Sequence, residues 1–389
     1  MSFLRAARAA RFDRMGPCRV VAALAIVLIT ALLTVSCGSN TVARNHSAYV
    51  SLPDDGSVLL VQVNSTTGAL TQLAETPQVQ GTSPTGLALL PSKKFLYAAN
   101  SRANTISIFS VNSDGTLSLT GTPMPAGNGP NVAVIDPTGQ YLLVTNNFSN
   151  DISVFQIDVT TGGLTQVGST VPANANPTDI VFTHSGQFVY VTNPGIGMVS
   201  IFSFANGVLT QLPGLSPVFS GKGASALVVD NSDSFLYVAN VTAINPAPNL
   251  STGNISGFNI DSTSGALTLI QGSPFMSADG NGPSALAIDP AGQLVYAFTP
   301  GSSFSIWSFT INYASGTTNG SLVATTSSPF SLSAGGIFAM FDPSGDYLFV
   351  GSNTGIAVYT YNQSSGSPSA VTGSPFALGT APGKMVFLN

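Results

Sequence analysis

The chain has 389 residues, 44 % hydrophobic and only 7 % charged, with 40 glycines, 25 prolines and a formal net charge of −5. So few lysines and arginines exclude a nucleic-acid partner, which needs clustered cations to neutralise phosphates. The abundance of glycine, proline, serine, threonine and asparagine excludes a helical protein and fits many short strands joined by tight turns.

The first forty residues differ from the rest. Arg5, Arg8, Arg11, Arg14 and Arg19 precede a charge-free, mostly apolar run from Val20 to Val35. That run is short for a membrane span and suits the core of an export signal. Thr34-Val35-Ser36-Cys37-Gly38 follows and resembles the lipobox of bacterial lipoproteins, with the expected leucine one place early at Leu33. The reading is a signal peptide over 1–36, a lipid on Cys37 and a tether over 37–45, which would leave the protein facing the periplasm or cell surface. An uncleaved anchor helix with an incidental cysteine is the alternative, and Met15 offers a second start. Cys18 lies in the removed part, so the mature domain keeps no thiol for a disulfide or for nucleophilic catalysis. Beyond Cys37 the basic residues are Arg44, Lys93, Lys94, Arg102, Lys222 and Lys384. Membrane attachment would therefore rest on the lipid rather than on charge.

Length alone suggests about two domains, but internal repeats overrule it. Phe95-Leu-Tyr-Ala-Ala-Asn100 recurs as Tyr141–Asn146, Phe188–Asn193 and Phe235–Asn240, and more loosely as Leu294–Thr299, Tyr347–Ser352 and Ser47–Leu52. Taking Tyr49, Tyr97, Leu143, Tyr190, Tyr237, Tyr296 and Phe349 as one column, the steps are 48, 46, 47, 47, 59 and 53 residues. That period holds four strands with their turns. Upstream of the column lies a small, apolar strand such as Pro130–Pro137, suited to an innermost position. Downstream comes an alternating strand such as Asn104–Val111, then a glycine turn such as Asn112–Gly115, then an outer strand such as 115–119.

The ends fit one another. The unit from Ser47 to Leu73 lacks its first strand, whereas the tail, 382–389, reads as a first strand with nothing after it. The expected fold is therefore all-β, a seven-bladed β-propeller over 46–389, a monomer whose ring is closed by strand 382–389 joining strands 47–73. An open solenoid or two stacked sandwiches is the alternative.

Tyr190-Val191-Thr192-Asn193 spells the YVTN signature, with close copies at Tyr237–Asn240, Tyr97–Asn100 and Leu143–Asn146. On these motifs the whole mature chain resembles the lactonase-type seven-bladed propellers, including 6-phosphogluconolactonase-like and muconate-cycloisomerase-like proteins and YVTN-repeat surface proteins. The resemblance implies the propeller fold, and as an activity it implies lactone hydrolysis. The Gly-Ser-Pro-Phe copies at 272–275 and 373–376, with Ser328-Pro-Phe330, read as a hydrophobic plug after a proline turn.

In a propeller, the loops between blades and those between second and third strands gather on one face around the channel. Ionisable residues mapped there are Glu75, Asp279 and Lys222 in blade-to-blade loops and Arg102, Asp151, Asp54 and Asp55 in second-to-third-strand loops, with Asp179 and Lys384 at the starts of innermost strands. The loop from Val241 to Gly253 would overhang that face. Opening a lactone needs a base for water and a cation or donors for the oxyanion. The candidate catalytic set is Glu75, Arg102 and Lys384, with Asp179, Lys222, Asp279 and Asp151 as candidate ligand-binding residues. His184 falls in a first-to-second-strand turn on the opposite face. The Asn100, Asn146, Asn193 and Asn240 column, repeated in equivalent positions, reads as structural, and Trp307 as core. No spacing suggests a metal cage, a nucleotide site or any other cofactor. Two functions follow: an exported scaffold binding a glycan or protein, or a hydrolase acting on a small lactone, neutral rather than phosphorylated because cations are scarce.

Overall fold

The computed structural model describes residues 45–76, 82–241, 253–276, 282–299, 305–326, 328–331 and 336–388. The expected signal, Cys37 and Asp279 lie outside the described residues, as does nearly all of the 241–253 loop. The described strands form seven antiparallel sheets, six of them four-stranded meanders in sequence order and the seventh closed by the C-terminal strand, and together a seven-bladed β-propeller. Blade 2 shows the pattern: Pro84–Leu89, Phe95–Asn100, Thr105–Val111 and Leu117–Leu119 from the innermost strand outward.

Blade 1 is assembled from both ends of the chain. Met385–Phe387 pairs antiparallel with His46–Leu52, bringing Ala48 against Phe387, Tyr49 against Val386 and Val50 against Met385. The second strand then pairs with Ser57–Val63, and that with Leu70–Glu75. Closure also shows in the core. Seven apolar clusters each straddle one blade-to-blade interface, and one joins blade 7 to blade 1 through Phe338, Phe349, Val50 and Met385. Second-strand residues alternate between the two neighbouring clusters: Tyr97 packs towards blade 3, whereas Leu96 and Ala98 pack towards blade 1. This is why these strands are apolar on both faces.

The tyrosine column ties blades together. Each ring is fully buried, and its hydroxyl donates to a glycine carbonyl in the third-to-fourth-strand turn of the next blade. The bonds are Tyr49 to Gly115 (2.6 Å), Tyr97 to Gly162 (3.1 Å), Tyr190 to Gly265 (3.0 Å), Tyr237 to Gly320 (2.8 Å) and Tyr296 to Gly366 (3.1 Å). Glycine is required at the receiving turn. Gly162 has φ +75°, and a Cβ there would lie 2.4 Å from the Phe95 ring. Where the column holds Leu143 or Phe349, the aromatic two residues upstream is tyrosine instead: Tyr141 lies against Gly207, and the Tyr347 hydroxyl donates to the Ser65 carbonyl at 3.3 Å. Tyr97→Phe is expected to cost about 1–3 kcal/mol, the penalty for a buried carbonyl left unpaired. Chemical denaturation followed by Trp307 fluorescence measures it.

Among the described residues, a short additional strand follows the fourth in six blades, from Met124–Pro125 in blade 2 to Phe376–Ala377 in blade 7. The outer edge of the third strand in these six blades is thus shared. In blade 7, Tyr359–Tyr361 pair with Pro368–Ala370, whereas Gly355 and Ile356 pair with Ala377 and Phe376. At the break between partners the Val358 N–H donates to Ser374 Oγ at 2.9 Å. Ser216, Ser273 and Ser328 accept the equivalent N–H of Ile201, Gly257 and Ser308. The Ser-Pro-Phe segment is therefore a piece of the sheet, its serine filling the gap in the ladder.

Candidate functional site

The innermost strands begin at the channel, so their first residues line it. Pairing with the second strands puts Gly86, Val132, Asp179, Ala226, Ala285, Phe338 and Lys384 at one position, immediately before residues paired with Ala98, Val144, Val191, Val238, Ala297, Val350 and Val50. Five blades carry a glycine or an apolar side chain there. Blade 4 carries a carboxylate and blade 1 an ammonium. All but Gly86 line one cavity of about 270 Å³ at the channel mouth.

One residue earlier stands a small polar side chain in most blades, and it links the strand starts around the ring. Thr85 Oγ1 donates to the Asn131 carbonyl (3.1 Å), and Asn131 Nδ2 to the Thr178 carbonyl (3.1 Å). Ser225 Oγ donates to the Pro283 carbonyl (3.4 Å), and Ser284 Oγ to the Gly336 carbonyl (2.8 Å). Gly86 permits the closest approach, since a Cβ there would meet the Asn131 carbonyl at 2.3 Å. Between blades 4 and 5 the sense reverses, and the Leu227 N–H donates to Asp179 Oδ2 at 3.1 Å.

Asp179 also accepts the Ile180 N–H through Oδ1 at 3.0 Å. Burial pushes its carboxyl above the usual range, opposed by Lys384 across the channel and then by the two N–H donors. Lys384 is held through its backbone: its N–H donates to Ser51 Oγ and its carbonyl accepts the Ser51 N–H, both at 2.9 Å. Asp179 and Lys384 make no direct ion pair. Among the described residues the one contact within 4.0 Å between a basic and an acidic side chain is His184 Nδ1–Asp233 Oδ1, at 2.8 Å. A carboxylate and an ammonium thus feel each other across a cavity open to a small molecule.

The other sequence-derived candidates lie elsewhere. Glu75 ends the outermost strand of blade 1, accepts the Ser57 hydroxyl and lines a crevice between blades 1 and 2 with Thr116 and Leu117. Arg102 is exposed beside Ser101, Asn104 and Phe148, in a different hollow between blades 2 and 3. The expected convergence of Glu75, Arg102 and Lys384 therefore does not occur at the channel, because only the starts of innermost strands reach it. Lys222 is exposed and does not line the cavity. Asp151 Oδ1 accepts Asn146 Nδ2 (2.7 Å) and the Ser149 hydroxyl (3.0 Å), so it is occupied in its own turn. His184 belongs to the Thr183–Gly186 turn between first and second strands, where its Nδ1 meets Asp233 of blade 5. The asparagines of the column are buried. Asn100 and Asn146 each donate to the third strand of their own blade, at Ser107 and Ser153.

Sequence reasoning put both Asp179 and Lys384 at the starts of innermost strands but grouped Lys384 with Glu75 and Arg102 instead of with Asp179, although a signal for the latter grouping was present. Pro84-Thr-Gly86, Pro130-Asn-Val132, Pro177-Thr-Asp179, Pro283-Ser-Ala285 and Pro382-Gly-Lys384 align without gaps. Reading down the third column isolates the two charges.

The architecture defines a seven-bladed propeller whose channel mouth departs from sevenfold symmetry at one carboxylate and one ammonium. The chain belongs to the family described as "Lactonase, 7-bladed beta-propeller", whose model matches residues 41–178 and 169–329. No curated protein matches it in sequence. Among solved structures, a candidate 6-phosphogluconolactonase from Bacteroides uniformis is 19 % identical with a TM-score of 0.74, covering 88 % of this chain and 99 % of its own. A second such protein, from Bacteroides fragilis, is 18 % identical with a TM-score of 0.73, covering 90 % and 99 %. The periplasmic gluconolactonase of Pseudomonas aeruginosa is 17 % identical with a TM-score of 0.71, covering 89 % and 99 %. At these identities the likeness shows the fold alone.

Proposed function

We propose that the protein binds a small, uncharged polyhydroxy lactone at the channel mouth and hydrolyses it, with Asp179 as general base and Lys384 as the electrostatic partner of the oxyanion. The observation that carries this reading is the placement of the two charges at one register position on different blades, facing a shared cavity. Asp179 takes a proton from water as the water oxygen bonds to the lactone carbonyl carbon, and negative charge moves to the carbonyl oxygen beside the Lys384 ammonium. Collapse of that tetrahedral species breaks the ring C–O bond. The departing alkoxide recovers the proton from Asp179, leaving a hydroxy acid. The ring of hydroxyls and carbonyls at the strand starts suits a ligand rich in hydroxyl groups. A phosphorylated sugar fits less well, since a dianion would meet one ammonium and a carboxylate rather than a cluster of cations.

The arginine-rich leader, the apolar run and Cys37 support export and lipid attachment, which would bring this site to substrates outside the cytoplasm. The test is a panel of aldonic and simple lactones incubated with purified protein, with acid release followed over time. Turnover above background is expected, falling by at least tenfold in Lys384→Met. A flat panel would overturn hydrolysis. If lactones then also raised the melting temperature, the protein would be a binding scaffold rather than an enzyme.

A further inference from the structure

We infer that the hollow between blades 2 and 3, whose lining shares no residue with the channel cavity, is a second binding site, for an acidic sugar unit such as a hexuronate within a glycan. It is an open cavity of about 660 Å³ lined by Ser83, Ser101, Arg102, Asn104, Asn128 and Phe148. Phe148 is 77 % exposed, the highest value among the large apolar side chains exposed to solvent. Such a ring on a surface turn costs solubility unless something covers it.

The ring is presented by an ordered frame. The Phe148 N–H donates to the Asn128 carbonyl (3.0 Å), the Asn147 N–H to the Gly129 carbonyl (2.8 Å), and the Asn128 N–H to Ser149 Oγ (3.0 Å). Gly129 has φ +66°, and a Cβ there would lie 2.6 Å from Phe148 Cδ2, so glycine makes room for the ring. The Gly129 N–H in turn donates to Asn104 Oδ1 at 2.8 Å, locking the loop of blade 3 to the turn of blade 2. On the blade 2 side the backbone is equally fixed, with the Ser101 and Arg102 N–H groups donating to the Ser83 and Thr82 carbonyls at 3.0 and 3.3 Å. The Arg102 guanidinium, by contrast, has no hydrogen bond or ion pair among the described residues, and it is the one arginine there.

The chemistry of the three elements converges on one ligand class. An exposed phenyl ring packs against the apolar C–H face of a pyranose, neighbouring hydroxyl and amide side chains exchange hydrogen bonds with sugar hydroxyls, and a free guanidinium takes a carboxylate through two parallel bonds. On a chain of net charge −5 an anion is repelled at long range, so its capture here depends on Arg102. The openness of the hollow admits one residue of a longer chain rather than enclosing a free metabolite.

The test is calorimetric titration of the purified full chain with a galacturonate tetramer, with a galactose tetramer and an acidic hexapeptide as comparisons. The uronate is expected to bind at one site, with the neutral tetramer and the peptide at least tenfold weaker. Arg102→Ala and Phe148→Ala should each weaken the uronate by tenfold or more, with melting temperatures within two degrees of the parent protein. Arg102→Lys should recover only part of the loss, because an ammonium cannot make the bidentate pair. Absence of uronate binding, equal binding by Arg102→Ala, or equal binding of the peptide would each overturn the inference. The site is independent of lactone hydrolysis, so failure of either leaves the other standing.

Discussion

Asp179→Asn is expected to lower lactone turnover by about 10²–10⁴-fold, the usual contribution of a general base, and to flatten a pH dependence of stability that the parent protein shows. The sign follows from burial. Asp179 holds its proton more tightly folded than unfolded, because removal from water penalises the carboxylate more than Lys384 and the two N–H donors favour it. Between the ordinary carboxylate value and the raised one, the folded state binds more protons, so stability falls as pH rises through that window and stays lowered above it. Asparagine does not titrate and removes this slope. Urea denaturation from pH 4 upward, in parent and variant, measures it. Turnover should rise with pH over the same window as Asp179 ionises. A variant that kept both turnover and slope would remove Asp179 from the mechanism.

Deleting residues 385–389 is expected to destabilise the domain by more than about 5 kcal/mol, comparable with the whole stability of many domains. Met385 is fully buried, and losing such a side chain alone costs about 2–5 kcal/mol. Its removal also empties part of the cluster between blades 7 and 1, strips Phe387 from its edge-to-face contact with Phe349 at 5.3 Å, and leaves the inner edge of His46–Leu52 unpaired. Met385→Ala serves as the milder control, with a loss of about 2–5 kcal/mol by Trp307 fluorescence. A truncated chain as stable as the parent would show that the exchange of ends does not hold the ring.

Much of the fold was legible because each blade repeats the same problem of burial. The second strands read from sequence as Phe95–Asn100, Tyr141–Asn146, Phe188–Asn193 and Phe235–Asn240 have those bounds in the structure. The closing strand was legible from complementarity: one unit lacked a beginning and the tail lacked a continuation. The short additional strands were not. Two-residue strands such as Phe330–Ser331 leave no periodicity, and in blades 4 to 7 a serine hydroxyl stands in for a ladder partner where they meet the third strand. The site was legible by face, and the innermost rank of Asp179 and Lys384 was legible too, but it was not used to set them apart from the loop residues. A loop pattern tells which end of a blade a residue occupies but not its distance from the axis, and this separates Glu75 and Arg102 from Lys384. Distance from the axis is set by strand rank, and Asp179 and Lys384 share the innermost rank.

The chain's final six residues bring both the last staple of the circle and the ammonium of the cavity. On the proposed function, a protein whose terminus has been clipped or has not yet docked would lack the cavity's ammonium, and occupancy of the cavity should in turn guard that terminus. Carboxypeptidase digestion that slows when a lactone is present would register this mutual protection.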